Sequence, residues 1–358
     1  MDKKLIEKLN KRKEEGTMRS LSLLNNLVDF YSNDYLGLAK VRIETEGIGG
    51  STGSRLISGH SVSAENCEKT LAKWFKTEAA LVFNSGYDAN LGFFSSIPLR
   101  GDTVLYDEKI HASARDGIRL SFASSSSFRH NDAEDLKGKI RKAKGTIYVA
   151  IESLYSMDGD FAPLGEIARI CKDFNAYLIV DEAHACGVFG EHGRGIVDSL
   201  PDLSVVFARF VTFGKAYGYH GGAILGSTEL KQFLINFARS FIYTTALPAE
   251  AYQQIEKRIQ HSSIPELQRK LQENILMFRA GFTKPTFISC INSPIQILRY
   301  GDVSKTKKIS TILVNEGFAV KPIYSPTVAI GQEGLRICLH SFNSEQEIRL
   351  MAQFILKI

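Results

Sequence analysis

The sequence predicts an α/β protein: a mostly parallel central sheet covered by helices, with a smaller C-terminal α+β domain. Two observations carry this. Between residues 79 and 226 short, nearly all-apolar runs alternate with amphipathic helical stretches. After about residue 248 the texture changes to two long amphipathic helices followed by scattered short strands. The composition agrees, with 44% hydrophobic and 23% charged residues in 358, as in an ordinary globular chain of about two domains.

The elements follow in order. Residues 2–15 read as a charged amphipathic helix with Leu5, Ile6 and Leu9 on one stripe, ended by Gly16. LVDFY (27–31) reads as a short strand and SNDYLGL as a turn. GIGGSTGSRLISG (47–59) holds five glycines and reads as an irregular loop, followed by a helix over 63–76. The alternation then gives strands at 79–83, 103–107, 146–153, 176–184, 204–210 and 221–226, with helices at 88–97, 110–121 and 164–174. SSSS at 124–127 is too short to count as low complexity. The C-terminal part gives helices at 249–260, 266–282, 305–315 and 344–357, and strands at TFISC, IQILRY, FAVKPI and LRICLHS. This divides the chain into an arm (1–46), a large α/β domain (47–246) and a small α+β domain (247–358).

Several function classes drop out. A net charge of +5 is too small to argue for nucleic acid, and no apolar run approaches the roughly 18 residues of a membrane span. The charged N-terminus lacks the apolar core of a signal peptide, and five scattered cysteines read as reduced thiols, so a cytoplasmic protein is expected. No HExxH or paired ligand motif argues for a metal. Asp181-Glu182-Ala183-His184 resembles a helicase box, but that needs a phosphate loop, G-x-x-x-x-G-K-[ST]. The two Gly-Lys pairs, at 138–139 and 214–215, have neither the preceding glycine nor the following Ser/Thr.

Four clusters can carry chemistry. Asp181 and His184 end an apolar strand, where ligands sit in open α/β sheets. Lys215 follows a core strand among glycines, as a Schiff-base lysine would, although alone it also fits an ordinary exposed lysine. Ser85, Gly86 and Tyr87 make a strand–glycine–helix turn that can hold a phosphate. His111 has a flat ring that could stack on a planar ligand, or it is a satisfied structural histidine. Together they ask for a phosphate, a protonatable ring nitrogen and a carbonyl that condenses with lysine, which is pyridoxal 5′-phosphate (PLP).

On these residues the chain resembles the α-oxoamine synthase family of PLP enzymes. The matching stretches include FYSNDYLGL, GIGGSTGSRLISG, NSGYDAN, DEKIHAS, ESLYSMDGDFAPL, VDEAHACGVFGEHGRG, VTFGKAYGYHGG and FARSFIYTTALP, spread over nearly the whole chain. The resemblance implies the fold-type I, aspartate aminotransferase-like architecture and a homodimer with shared sites. It implies that Lys215 carries the cofactor and removes the substrate α-proton. Asp181 pairs with the ring nitrogen, His184 with the ring oxygen, and His111 stacks. Ser85, Gly86, Tyr87, Ser156 and Thr212 contact the cofactor, and Thr245 reaches the partner's phosphate. Arg336 clamps the amino-acid carboxylate, with Arg19, Asn33 and Thr327 as further substrate contacts.

The implied reaction is decarboxylative condensation of an amino acid with an acyl-CoA or acyl-carrier-protein thioester. The stretches around 211–222 and 235–250 most resemble the biotin branch, which uses L-alanine and a pimeloyl thioester; glycine- and serine-using branches are the alternatives. Two departures stand out. The segment 39–48 is shorter than in most members, and Ala64 stands where the biotin branch often has histidine.

Overall fold

The computed structural model describes residues 2–21, 23–24, 26–282 and 287–357. The chain forms two compact units. One comprises residues 36–155 and 161–268, and the other residues 1–35, 156–160 and 269–358.

The larger unit is built on a seven-stranded sheet. Its spatial order is Ala79–Phe83, Gly222–Gly226, Val206–Thr212, Tyr177–Asp181, Ile147–Glu152, Thr103–Asp107 and Ser124–Phe128. Gly222–Gly226 pairs antiparallel with both neighbours, and the remaining pairs are parallel. The near-continuous apolar runs follow from burial on both faces. One face packs Phe83, Ala150, Ile179 and Phe210 against helices that include Gly86–Ser96, which contributes Phe93, and Ala112–Leu120. The other packs Val149, Ile151, Leu178 and Val180 against Ala133–Ile140 and Leu164–Asp173. Because side chains alternate along a strand, Glu152, Asp181 and Thr212 fall on the first face, at the carboxyl ends of three neighbouring strands. That parity brings the site together.

SSSS (124–127), to which the sequence assigns no element, forms most of the edge strand Ser124–Phe128. Serine is a poor strand former, so its propensity conceals an element that the pairing with Thr103–Asp107 creates.

The short segment 39–48 is fastened by the helix Ala249–Ile259. Gln254 Nε2 donates to Ile43 O at 2.7 Å, Arg258 Nη2 to Val41 O at 2.9 Å, and Gln253 Nε2 to Glu46 O at 2.6 Å. Those bonds place this helix in the larger unit, so the division falls later than residue 246.

The smaller unit has a three-stranded antiparallel sheet ordered Lys321–Ile323, Gly334–Cys338 and Ile295–Arg299. Val28–Asp29 pairs in parallel with Phe318–Ala319. Cys338 N also donates to Phe30 O at 2.8 Å. Residues 1–35 therefore join the C-terminal residues instead of standing as a separate arm. The strand expected at TFISC lies partly outside the described residues, and 287–290 are irregular.

Candidate active site

A cleft with about 560 Å³ of space, part of it open to solvent, lies at the carboxyl ends of the parallel strands. Gly86, Tyr87, His111, Asp181, His184, Thr212 and Lys215 line it. All were expected from the sequence. Asn90, Ser113 and Glu152 also line it and were not.

Asp181 is the last residue of its strand and is 7% exposed. Its Oδ2 accepts from Asn90 Nδ2 at 2.9 Å and its Oδ1 from Ala183 N at 2.9 Å. These bonds fix an anionic carboxylate in a buried place. Glu182, the next residue, points away into a buried ion pair with Arg209. The acidic pair thus divides its labour: one carboxylate faces the cleft and the other holds the fold.

Glu152 lies beside Asp181 in register across the two strands and is 4% exposed. Burial first, then the neighbouring Asp181 charge, pushes its carboxyl well above the usual range, against Lys215 and the His111 backbone N–H. Its carboxyl thus holds its proton to higher pH in the folded chain than in the unfolded chain, where the ordinary value is 4.5. Because the folded value is raised, its stabilising contribution is complete below that reference and is lost as pH rises toward the folded value. Glu152→Gln should therefore gain melting temperature relative to wild type as pH rises above about 5, at most about 1.4 kcal/mol per pH unit. Melting curves of the cofactor-free proteins measure this, and a pH-independent difference would overturn it.

His111 caps the helix Ala112–Leu120. Its Nδ1 accepts from Ser113 N at 3.3 Å and lies 2.7 Å from Ser113 Oγ, which leaves Nε2 to carry the ring proton. Burial lowers its pKa, Asp181 opposes that and Lys215 adds to it, so the ring is neutral near pH 7.

Ser85 caps the helix Gly86–Ser96 by accepting from Asp88 N at 3.0 Å. The Gly86 and Tyr87 N–H groups remain as donors at its positive end. Gly222 keeps them accessible, since a Cβ there would lie 2.7 Å from Gly86 N. Thr212 Oγ1 donates to Gly221 O at 3.1 Å beside this turn. Lys215 sits half-buried after the strand Val206–Thr212, in a turn closed by Gly218 N donating to its carbonyl at 2.8 Å.

A second group of expected residues lies in the smaller unit. Arg336 Nη2 donates to Asn33 Oδ1 at 2.9 Å, and its Nε donates to Ser156 O at 2.8 Å. Arg19 Nη2 donates to Thr327 Oγ1 at 3.2 Å. Ser156 therefore meets Arg336 through its backbone. Ser85 acts as a cap and is not among the residues lining the cleft. Thr245 is exposed and also outside the cleft, with its carbonyl held by Asn84 Nδ2 at 2.8 Å.

The cleft's donor set fits PLP: an anion at Asp181 for a ring nitrogen, open N–H groups at a helix end for a phosphate, and an amine at Lys215.

Comparison with known proteins points the same way. The profile of the family described as Aminotransferase class I and II matches residues 25–355. An 8-amino-7-oxononanoate synthase from Emericella nidulans is 38% identical, covering 96% of this chain and 92% of its own. Sphingomonas wittichii serine palmitoyltransferase superposes with a TM-score of 0.90 at 26% identity, covering 99% of this chain and 96% of its own. A serine palmitoyltransferase variant from S. paucimobilis with bound PLP gives 0.89 at 25% identity, with the same coverage.

Proposed function

The chain belongs to the class I and II aminotransferase family, and we propose that it is a PLP-dependent acyltransferase of the 8-amino-7-oxononanoate synthase type. The observation that carries this reading is the convergence of Lys215, Asp181, His184 and His111 with the open end of the helix Gly86–Ser96 in one cleft. The proposed reaction condenses L-alanine with a pimeloyl thioester, of CoA or a carrier protein, and releases CO2 and the free thiol. Identities of 36–38% to such synthases from Emericella nidulans and Pelobacter propionicus support it.

The residues take these roles. The N–H groups of Gly86 and Tyr87, with Thr212, hold the phosphate. Asp181 holds the proton on the ring nitrogen, while Asn90 and Ala183 N hold Asp181. His111 would offer its ring for stacking on the cofactor, and His184 a hydrogen bond to the ring oxygen. When bound, PLP supplies an electron sink for charge developing at the substrate α-carbon. Lys215 carries the cofactor and takes the proton from that carbon. Arg336 receives the amino-acid carboxylate, with Asn33 held against its Nη2 near the amino-acid site and Arg19 and Thr327 as further substrate contacts.

The working unit is a homodimer. The exposed Ile57, Val62 and Tyr243 offer apolar surface for it, and Thr245 serves the partner's phosphate. Among the described residues no helix is long and apolar enough to cross a membrane.

A second reading, a serine-using enzyme, is favoured by the TM-score of 0.90 to serine palmitoyltransferase. Titrating the holoenzyme with L-alanine, glycine and L-serine separates the two. An absorbance change near about 500 nm after pimeloyl thioester, with L-alanine alone, is expected for delocalised charge on the cofactor. The same response with L-serine alone would overturn the assignment.

A further inference from the structure

Arg336 is buried at 7% exposure, and the hydrogen-bond acceptors around it are neutral. They are Ser156 O on Nε at 2.8 Å, Asn33 Oδ1 and Tyr35 Oη on Nη2 at 2.9 and 3.4 Å, and Cys338 Sγ on Nη1 at 2.9 Å. A guanidinium has five N–H groups, so these contacts leave one, on Nη1. A buried cation held only by neutral acceptors calls for an anion. The sequence identified Arg336 and Asn33 but gave no signal for Tyr35 or Cys338.

Both side chains are placed by the backbone. Cys338 follows Arg336 by two residues on the strand Gly334–Cys338, so both fall on one face. Ser341 N donates to Tyr35 O at 2.8 Å, which ties the segment carrying Asn33 and Tyr35 to the residues just after that strand. Tyr35 Oη in turn donates to Asn33 Oδ1 at 3.3 Å, fixing the oxygen that faces Arg336. Both side chains are fully buried, and burial raises the pKa of each, which keeps phenol and thiol protonated.

We propose that Tyr35 and Cys338 are positioning residues for Arg336, and that they leave Nη1 as the point where the substrate carboxylate is received. The inference rests on the reading that Arg336 binds that carboxylate. Tyr35 and Asn33 close one end of the fork and Ser156 O its side, so the ligand arrives end-on. The thiol is a weak acceptor: it orients Nη1 without satisfying it.

The test uses the holoenzyme, with affinities for L-alanine and for L-alaninamide, which lacks a carboxylate, read from the cofactor absorbance. Tyr35→Phe should weaken L-alanine binding about tenfold, the loss expected for one bond to a charged group. KM should rise in step, kcat should change less than about threefold, and L-alaninamide less than about twofold. Cys338→Ala should weaken L-alanine about threefold, and Cys338→Ser should restore it, a rescue that a packing role would not give. L-alanine affinity unchanged in both Tyr35→Phe and Cys338→Ala overturns the proposal, as does an equal loss for L-alaninamide. If Tyr35→Phe does not fold, the Cys338 pair decides. Arg336→Lys separates the two levels. If it too leaves L-alanine binding unchanged, the carboxylate reading itself fails; if it weakens binding while the others do not, only the positioning role fails.

Discussion

Lys215→Ala abolishes turnover by at least about 10⁴-fold, the scale seen when a covalent catalyst is removed, and leaves the fold intact. Lys215 is half-buried in a turn, so its removal leaves no cavity in the core. The side chain is asked to do two things, carry the cofactor and take a proton. An amine lining this cleft is suited to both, because a neutral amine is at once a nucleophile and a base. Lys215→Arg keeps the cation but loses the nucleophile, and it should be as inactive as Lys215→Ala. Borohydride should bleach the yellow wild-type holoenzyme and leave the cofactor attached to a peptide containing residue 215. Neither variant should retain PLP after borohydride and denaturation. Retained turnover above about one hundredth of wild type in either variant would remove the central assignment.

Much of this was legible because strand parity and short motifs are local. The apolar runs gave the strands, and the parallel sheet followed from their alternation with helices. Asp181, Lys215 and Gly86 stood out because each sits at a strand end beside glycine or a second chemical group. Glu152 did not. Its role depends on lying beside Asp181 across two strands, a relation that register makes and spacing along the chain does not show. Asn90 was hidden for a similar reason, since it reaches Asp181 from one turn inside a helix. Tyr35 lay in a stretch read as a turn and Cys338 among the scattered reduced thiols; both are buried, and their polar atoms matter only through Arg336. The two units divide after residues 35 and 268 and not at 46 and 246: Val28 pairs with Phe318 across most of the chain, and the helix Ala249–Ile259 is bonded to residues 41–46. Composition changes cannot report a contact of that separation.

Adjacent residues Asp181 and Glu182 should respond to substitution in opposite ways. Glu182 is fully buried and ion-paired with Arg209, itself 3% exposed. Its Oε1 accepts from Ile196 N at 2.6 Å and Val197 N at 2.9 Å. Gly195, at φ +91°, is required beside it, since a Cβ there would lie 2.6 Å from Glu182 Oε2. The Arg209 guanidinium also lies over the Phe75 ring, with its carbon 4.8 Å from the centroid. Glu182→Ala removes the counter-charge and the acceptor for two backbone N–H groups, stranding a buried cation. Breaking such a pair costs about 3–5 kcal/mol. In a unit of this size that lowers the melting temperature on the order of 10 °C. Glu182→Gln keeps an acceptor oxygen but not the charge, and should fall between Glu182→Ala and wild type. Asp181→Asn is nearly isosteric and keeps an acceptor for Ala183 N, so its cost stays below about 1.5 kcal/mol. It loses the anion that would hold a proton on the cofactor ring, and turnover should fall by about 10³-fold or more. Thermal melts and kcat on the same preparations separate the two residues. Equal melting temperatures for Glu182→Ala and Asp181→Asn would show that the buried pair is not what holds this corner of the sheet. Wild-type turnover in Asp181→Asn would show that the cleft carboxylate is not what tunes the cofactor.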